Sequence, residues 1–352
     1  MLVVLATCIG VVGRCPQPSL IRHDASSVRV VRSAVANGPA ASPARAAQAS
    51  AASAPAPLPT LRLPEIYPRP AATVLEAQIA LARHGLSSGP IDGVAGGQTT
   101  KALEAFQDSQ GLAVTGRLAR DTRGKLLLFS PPLKQITVEA ADLARLQPLS
   151  PTWLGKSEQT ALDYATLLEL VAERFRAHPA LIRQRNPAVD WDHPAPGLVL
   201  TVPAAEPEER LGRAASVHIF LEDHLLQVRD ADGTLVAHFP VSIARNVEKR
   251  PVGELHVTVV IRNPDYTFDP DVFPESPEAR ELGRKLVLPP GPNNPVGLAW
   301  IGLDRPGYGI HGTPSPEQVG RTESHGCFRL ANWDALTLCE LAWVGLPVFV
   351  DP

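Results

Sequence analysis

Two short runs hold the residues best suited to chemistry: Ile310-His311-Gly312-Thr313, and further on Ser324-His325-Gly326-Cys327-Phe328-Arg329-Leu330. A thiol is a good nucleophile only as thiolate, so a reactive cysteine needs a base or a positive neighbour to lower its pKa. Two histidines lie near Cys327 in sequence, His311 upstream and His325 two residues before it. Gly312 and Gly326 let the backbone approach a ligand or turn its amides inward. Successive amides around Gly326 and Cys327 would suit the oxyanion of a tetrahedral intermediate. On residue types alone three readings compete. His311, His325 and Cys327 are permissible zinc ligands, although a fourth ligand and the paired cysteines usual for structural zinc are missing. Cys327 could instead be a small buried hydrophobe among hydrogen-bonded histidines. The third reading is nucleophilic cysteine chemistry.

The elements around these runs are strand-like. Val217-His218-Ile219-Phe220-Leu221, Leu225-Leu226-Gln227-Val228, residues 234–243 and residues 256–261 are apolar, β-branched-rich stretches. Glu222-Asp223-His224 and Asp230-Ala231-Asp232-Gly233 between them are hairpin turn signals. A helix is expected over 334–343 and a last strand over 348–350. Cys339 falls on the apolar face of that helix, so burial there is favoured over a disulfide with Cys327. His218, His224, His238 and His256 lie on strands or turns, where surface or satisfied core roles are expected. Asp265, Tyr266, Asp269 and Asp271 form an acidic loop that could hold a substrate amine, with solvation as the favoured reading.

At 352 residues the chain has room for two or three domains. Lys+Arg 33 against Asp+Glu 36, a formal net charge of -3, gives neither a nucleic-acid footprint nor a polybasic membrane patch. The 36 prolines, roughly twice the usual share, point to linkers. Residues 1–13 are apolar but shorter than a membrane span and have no preceding Lys or Arg. Leu5-Ala6-Thr7-Cys8 is loosely similar to a lipoprotein cleavage box, placed early. A cleaved signal, an anchor and a lipoprotein all stay open, and so does a membrane tether. Residues 34–59 are Ala, Ser and Pro with few bulky apolar side chains, a composition that does not offset ordering entropy. Another proline-rich break falls at 203–208. The resulting division is a leader and linker over 1–71, a helical module over 72–130, a middle segment over 134–206 and a β-rich domain over 215–352.

In the helical module Leu75, Ile79, Leu81 and Ala82 recur at helical spacing and Gly85 ends the run. Gly89-Pro90-Ile91-Asp92-Gly93 is a turn. A second helix carries Ala102, Leu103 and Phe106 and is closed by Gly111, and a third short one ends near Leu127. Leu75, Gln78, Leu81, Gly85, Ile91-Asp92-Gly93, Thr99, Ala102, Phe106-Gln107, Gly111-Leu112, Gly116 and Thr122 resemble the three-helix peptidoglycan-binding domain. In the middle segment, helices over 164–175 and 179–185 precede Asn186-Pro187 and the run Leu198-Val199-Leu200-Thr201-Val202-Pro203. That order is similar to a LysM module; an unrelated α+β spacer is the alternative.

His311-Gly312-Thr313 with Ser324-His325-Gly326-Cys327-Phe328-Arg329-Leu330 resembles the signature of the YkuD-type L,D-transpeptidase catalytic domain, over residues 216–351. Residues 288–297 resemble the loop that precedes the family's histidine strand, and Gly345-Leu346-Pro347-Val348 its closing strand. Two departures are visible. Arg250-Pro251-Val252-Gly253-Glu254-Leu255 stands where the family usually has Thr-Pro-x-Gly-x-Phe, and Phe328 replaces the commoner Ile or Leu. The resemblance implies an α+β protein in which Cys327 is the nucleophile and His311 the general base, its ring oriented by the Gly312 carbonyl. It implies that Ser324 shapes the turn, that His325, Gly326 and Cys327 offer amides to the oxyanion, and that Arg329 holds a substrate carboxylate or braces the loop. Implied partners are peptidoglycan stem peptides and glycan, with no nucleic acid, metal or cofactor, outside the inner membrane. The implied reaction is acyl transfer through a thioester to an amine acceptor. Water as acceptor would make it an L,D-carboxypeptidase, and a non-catalytic wall-binding protein is the rival from another class. The helical module is expected to be dispensable for chemistry on soluble fragments.

Overall fold

The computed structural model describes residues 65–207, 211–272, 277–321 and 326–352. The leader, most of the linker, Cys8, Cys15, Ser324 and His325 lie outside the described residues. Among the described residues no helix is long and apolar enough to cross a membrane.

The helical module is built on α1 (Val74–Arg83), α2 (Gly97–Ser109) and α3 (Arg120–Lys125). Thr73 and Glu76 close a capping box at the start of α1, which satisfies amides the helix itself leaves open. Gly85, at φ +76°, supplies the left-handed turn after its last residue. Two buried glutamines account for most of the recognisable polar motif. Gln78 accepts from the amides of Asp92 and Gly93 and donates to Asp92 and Thr99, tying α1 to the Ile-Asp-Gly turn. Gln107 does the same for the Thr115-Gly116 turn and Thr122. Arg69–Pro70 pair antiparallel with Leu127–Leu128, so the expected boundary after residue 71 falls inside this small sheet.

In the middle segment Leu133–Thr137 and Val199–Pro203 pair antiparallel, enclosing short helices at Ala140–Ala144 and Trp153–Ser157, then α4 (Leu167–Arg174) and α5 (Pro179–Arg185). α4 starts later than the periodicity suggests because Thr166 caps it, accepting from the Glu169 amide. Asn186 joins the end of α5 to the closing strand. Its amide donates to Ile182 and Thr201 carbonyls and its oxygen accepts from the Thr201 amide at 2.7 Å. The two modules share one core, in which Leu75, Ile79, Ala82 and Ile91 pack with Leu167, Leu170, Val171 and Ile182.

The third part is an eight-stranded sheet of β1 (Ser216–Phe220), β2 (Leu225–Arg229), β3 (Leu235–Pro240), β4 (Gly253–Arg262), β5 (Ala299–Leu303), β6 (Gly309–His311), β7 (Phe328–Arg329) and β8 (Pro347–Asp351). Its order is β7-β6-β5-β4-β8-β1-β2-β3, with β6/β7 and β1/β8 parallel. The strand expected over 234–243 stops at Pro240, and beyond it Ser242 pairs with Arg329 at the opposite edge through two 2.9 Å backbone bonds. This link curls the sheet into a half-barrel. Its concave side holds Ile219, Leu226, Phe239, Ile301, Ile310 and Phe328. The helix α6 (Asn332–Leu341) packs Ala335, Leu338 and Cys339 into the same core, and no disulfide joins Cys339 to Cys327.

The outer edge of β3 is not left open. His238 donates its amide to the Gly85 carbonyl at 3.0 Å and accepts from the Ser87 amide at 2.8 Å, so the helical module adds a parallel rung to the sheet. Ser87 also bonds the buried Asp334 at 2.9 Å, and Gln98 reaches the Val319 carbonyl. The His238 side chain departs from expectation: it is fully buried, and neither ring nitrogen has a hydrogen-bond partner among the described residues. Burial pushes its pKa down to about 4, which keeps it neutral. Because an uncovered edge is a template for aggregation, a chain beginning at residue 131 is expected to melt several degrees lower and to associate. Thermal melts and size-exclusion chromatography check this.

Candidate active site

β6 and β7 lie side by side, with Ile310 opposite Phe328 and His311 opposite Arg329. Ile310 and Phe328 are buried anchors that hold both strands on the core. Cys327 immediately precedes β7 and His311 ends β6, so the parallel register sets Cys327 beside Gly309, two residues before His311, and both residues border the same cleft. Cys327, His311, Gly326 and Arg329 line a single cleft of roughly 460 Å³, together with Trp300, Tyr266 and Thr313. Gly312 contributes its carbonyl beneath the histidine. Ser324 and His325 lie outside the described residues, so the zinc-ligand trio and the full row of oxyanion amides are represented here only by their other members.

The His311 ring is fixed from two sides. Nδ1 lies 2.7 Å from the Gly312 carbonyl, and since a carbonyl only accepts, Nδ1 donates and Nε2 is left as the basic nitrogen. Trp300 stacks against the ring at 5.7 Å between centroids. Burial lowers the His311 pKa to about 4, the Gly312 bond raises it, and the Arg329 charge lowers it further. The Cys327 thiol is half-buried, with Sγ 3.5 Å from the Gly307 carbonyl. Burial pushes its pKa above the ordinary thiol value, against a backbone hydrogen bond at Gly309 and the Arg329 charge, which both pull it down. The sequence suggested a thiol activated by a base or a positive neighbour. The structure presents a neutral thiol in one cleft with a neutral imidazole, because desolvation of the thiol outweighs Arg329.

The sign of the pH dependence follows. Only neutral His311 can accept a proton, so activity is lost as pH falls through its folded value of about 4, not through the ordinary imidazole value of 6.5. The rate of thiol acylation by a carbapenem, followed against pH, is expected to show its acid limb there, with circular dichroism separating it from unfolding.

Asn332, the first residue of α6 and fully buried, holds the surrounding loops. Its Oδ1 accepts from the amides of Leu298 and Thr313, each at 3.1 Å. Its Nδ2 donates to the Pro292 carbonyl at 3.1 Å and to Glu173 Oε1 at 3.0 Å. Two glycines make room for it: a Cβ on Gly297, at φ +62°, or on Gly312 would fall 2.0 or 2.2 Å from that oxygen. Glu173 comes from α4 and also accepts from the Tyr164 hydroxyl. Its burial raises its pKa to about 8, so at neutral pH it is a protonated member of a polar cluster.

Sequence reasoning missed Asn332 and Glu173, and also Trp153 and Lys156, which line the cleft from the middle segment. Asn332 lay only five residues beyond Cys327, but nothing in a lone Asn announces which amides it will meet. Of the acidic loop, Asp265 and Asp271 are exposed and Asp269 pairs with Lys285 at 2.6 Å; only Tyr266 faces the cleft. His218 bonds Ser216, and His256 pairs with Asp304.

Residues 214–350 match the family model YkuD, described as "L,D-transpeptidase catalytic domain", and residues 70–126 match the "Putative peptidoglycan binding domain". The "Probable L,D-transpeptidase ErfK/SrfK" of Escherichia coli is 30% identical over 214 residues, covering 58% of this chain and 67% of that protein. The chain belongs to the L,D-transpeptidase family. Similarity to the "Putative L,D-transpeptidase YkuD" of Bacillus licheniformis, 25% over 185 residues, covers 53% of this chain and 93% of that protein. As an L,D-transpeptidase the chain is a cysteine-dependent enzyme of peptidoglycan. The half-barrel sheet preceded by a helical peptidoglycan-binding region is the frame on which that activity is built.

Proposed function

We propose that Cys327 and His311 carry out the acyl transfer. The observation that supports this most directly is that both line one cleft while the Gly312 carbonyl holds His311 in the tautomer whose Nε2 is basic. His311 takes the thiol proton as Sγ attacks the carbonyl carbon of the third stem residue, giving a tetrahedral oxyanion. The Gly326 and Cys327 amides receive the oxyanion. Collapse breaks the peptide bond, His311 returns the proton to the departing D-alanine amine, and a thioester remains on Cys327. An acceptor amine from a neighbouring stem then attacks the thioester, forming a new amide and releasing the thiol. Arg329 presents a planar fork suited to a substrate carboxylate.

The same reading takes residues 72–130 as a peptidoglycan-binding domain and 215–352 as the catalytic domain. Residues 134–206 form a LysM-like module, a reading supported by two antiparallel strands that flank α4 and α5, with two shorter helices between, and by Asn186 bound to the closing strand. Activity on peptidoglycan implies work outside the cytoplasmic membrane. Incubation of the full chain with purified disaccharide-tetrapeptides tests the proposal. Cross-linked dimers between third residues are expected, with a thioester intermediate on Cys327. Tripeptides alone would make the enzyme a carboxypeptidase, and neither product would sink the reading.

A further inference from the structure

We propose that Trp153 and Lys156, brought into the cleft by the middle segment, form a subsite for a carboxylate of the peptide substrate. This rests on the functional reading above and adds to it the part of the chain that selects an anionic peptide. Among the described residues lining the cleft, the only charged side chains are Lys156 and Arg329, and no Asp or Glu faces them. Lys156 makes no ion pair or side-chain hydrogen bond to any described residue. Its ammonium lies 5.4 Å from the centre of the Trp153 ring, a cation–π contact that leaves its three donors available.

The segment that carries these residues is a fixed wall of the cleft. Thr152 caps the helix Trp153–Ser157 by accepting from the Gly155 amide at 3.0 Å. Trp153 stacks on Phe268 at 4.3 Å and 17°. Leu162 donates to the Pro290 carbonyl at 2.9 Å and accepts from the Asn293 amide at 2.9 Å. Gly291, at φ +145°, allows this approach, since a Cβ there would lie 2.2 Å from the Leu162 carbonyl. An ammonium held on such a wall is pre-organised, so less ordering cost is left to be met when a carboxylate docks. A peptide carboxylate meets Lys156 by a charge-assisted bond, while the Trp153 face covers the adjoining apolar stem atoms.

The carboxylate belongs either to the acyl donor or to the acceptor, and the two halves of the reaction separate them. Full-length enzyme, Lys156→Met and Lys156→Arg would be given a tetrapeptide stem with free carboxylates and its amidated counterpart. Thioester formation is read by intact-protein mass spectrometry, and transfer by dimer yield from preformed acyl-enzyme. The parent is expected to prefer the free acid by roughly tenfold in one of these halves, the size of one charge-assisted contact. Lys156→Met should lose that preference through KM and Lys156→Arg should keep it. A loss confined to acylation places the carboxylate on the donor, and a loss confined to transfer places it on the acceptor. An unchanged preference in Lys156→Met overturns the subsite. Failure of the parent to form a thioester with either peptide, while a carbapenem still acylates Cys327, overturns the functional reading and the subsite with it.

Discussion

Cys327→Ala is expected to abolish covalent adduct formation and to lower peptide turnover by at least ~10⁴-fold, the scale seen when a nucleophile is removed from a working catalytic unit. Mass spectrometry after incubation with a carbapenem provides the direct readout. An adduct that persists in the variant would disprove the nucleophile assignment. Stability should change little, because the thiol is half-buried and its hydrogen bonds, such as that to the Gly307 carbonyl, are the weak ones of a sulfur atom. That separation matters, since lost activity in a variant that melts normally cannot be attributed to lost fold.

Asn332→Ala is expected to harm both stability and rate. It would leave the buried Thr313 amide and Pro292 carbonyl, and the half-buried Leu298 amide, without their partner. Each unsatisfied buried group costs about 1–3 kcal/mol, so a total of at least ~3 kcal/mol is expected in urea denaturation. Thr313 follows the Gly312 carbonyl that orients His311. Displacement of this turn should slow acylation by roughly a hundredfold, as a misplacement near 1 Å does elsewhere. Glu173→Gln keeps an acceptor oxygen for Asn332 and is expected to stay near the parent in both respects. If Asn332→Ala lowers the melting temperature but folded enzyme acylates at the parent rate, the residue supports the fold alone.

The helical module illustrates why a readable element is not a readable position. Its caps and its two glutamines are local devices, and Gln78 meets Asp92 only fourteen residues away. The pairing of Gly85 and Ser87 with His238 spans some 150 residues, and no periodicity in either segment encodes it. The sequence leads us to expect this module to be dispensable for chemistry on soluble fragments; its contacts add that removal exposes surfaces of the other two parts. It caps the β3 edge, shares a core with α4, and contacts Asp334 of α6. The His238 imidazole shows the same limit: its strand was legible, but its burial without partners was decided by what packed over it.

By itself the sequence determined the chemistry-bearing runs, the strand character around them and the family signature, because spacing within a short motif and period along one element are local properties. It named Cys327 and His311, Gly312 and Gly326, and Arg329. Only the tertiary structure decided the electrostatic state of the site, since desolvation depends on everything that surrounds a group: burial raises the thiol pKa against the Arg329 charge and lowers the imidazole pKa together with it. Only it brought Asn332 against two glycines and joined Glu173 to it from a separate module. It also set Trp153 and Lys156 in the wall of the cleft. The contact between Glu173 and Asn332 joins residues more than a hundred positions apart, where the meeting point is fixed by how whole elements pack and not by any pattern either segment carries alone.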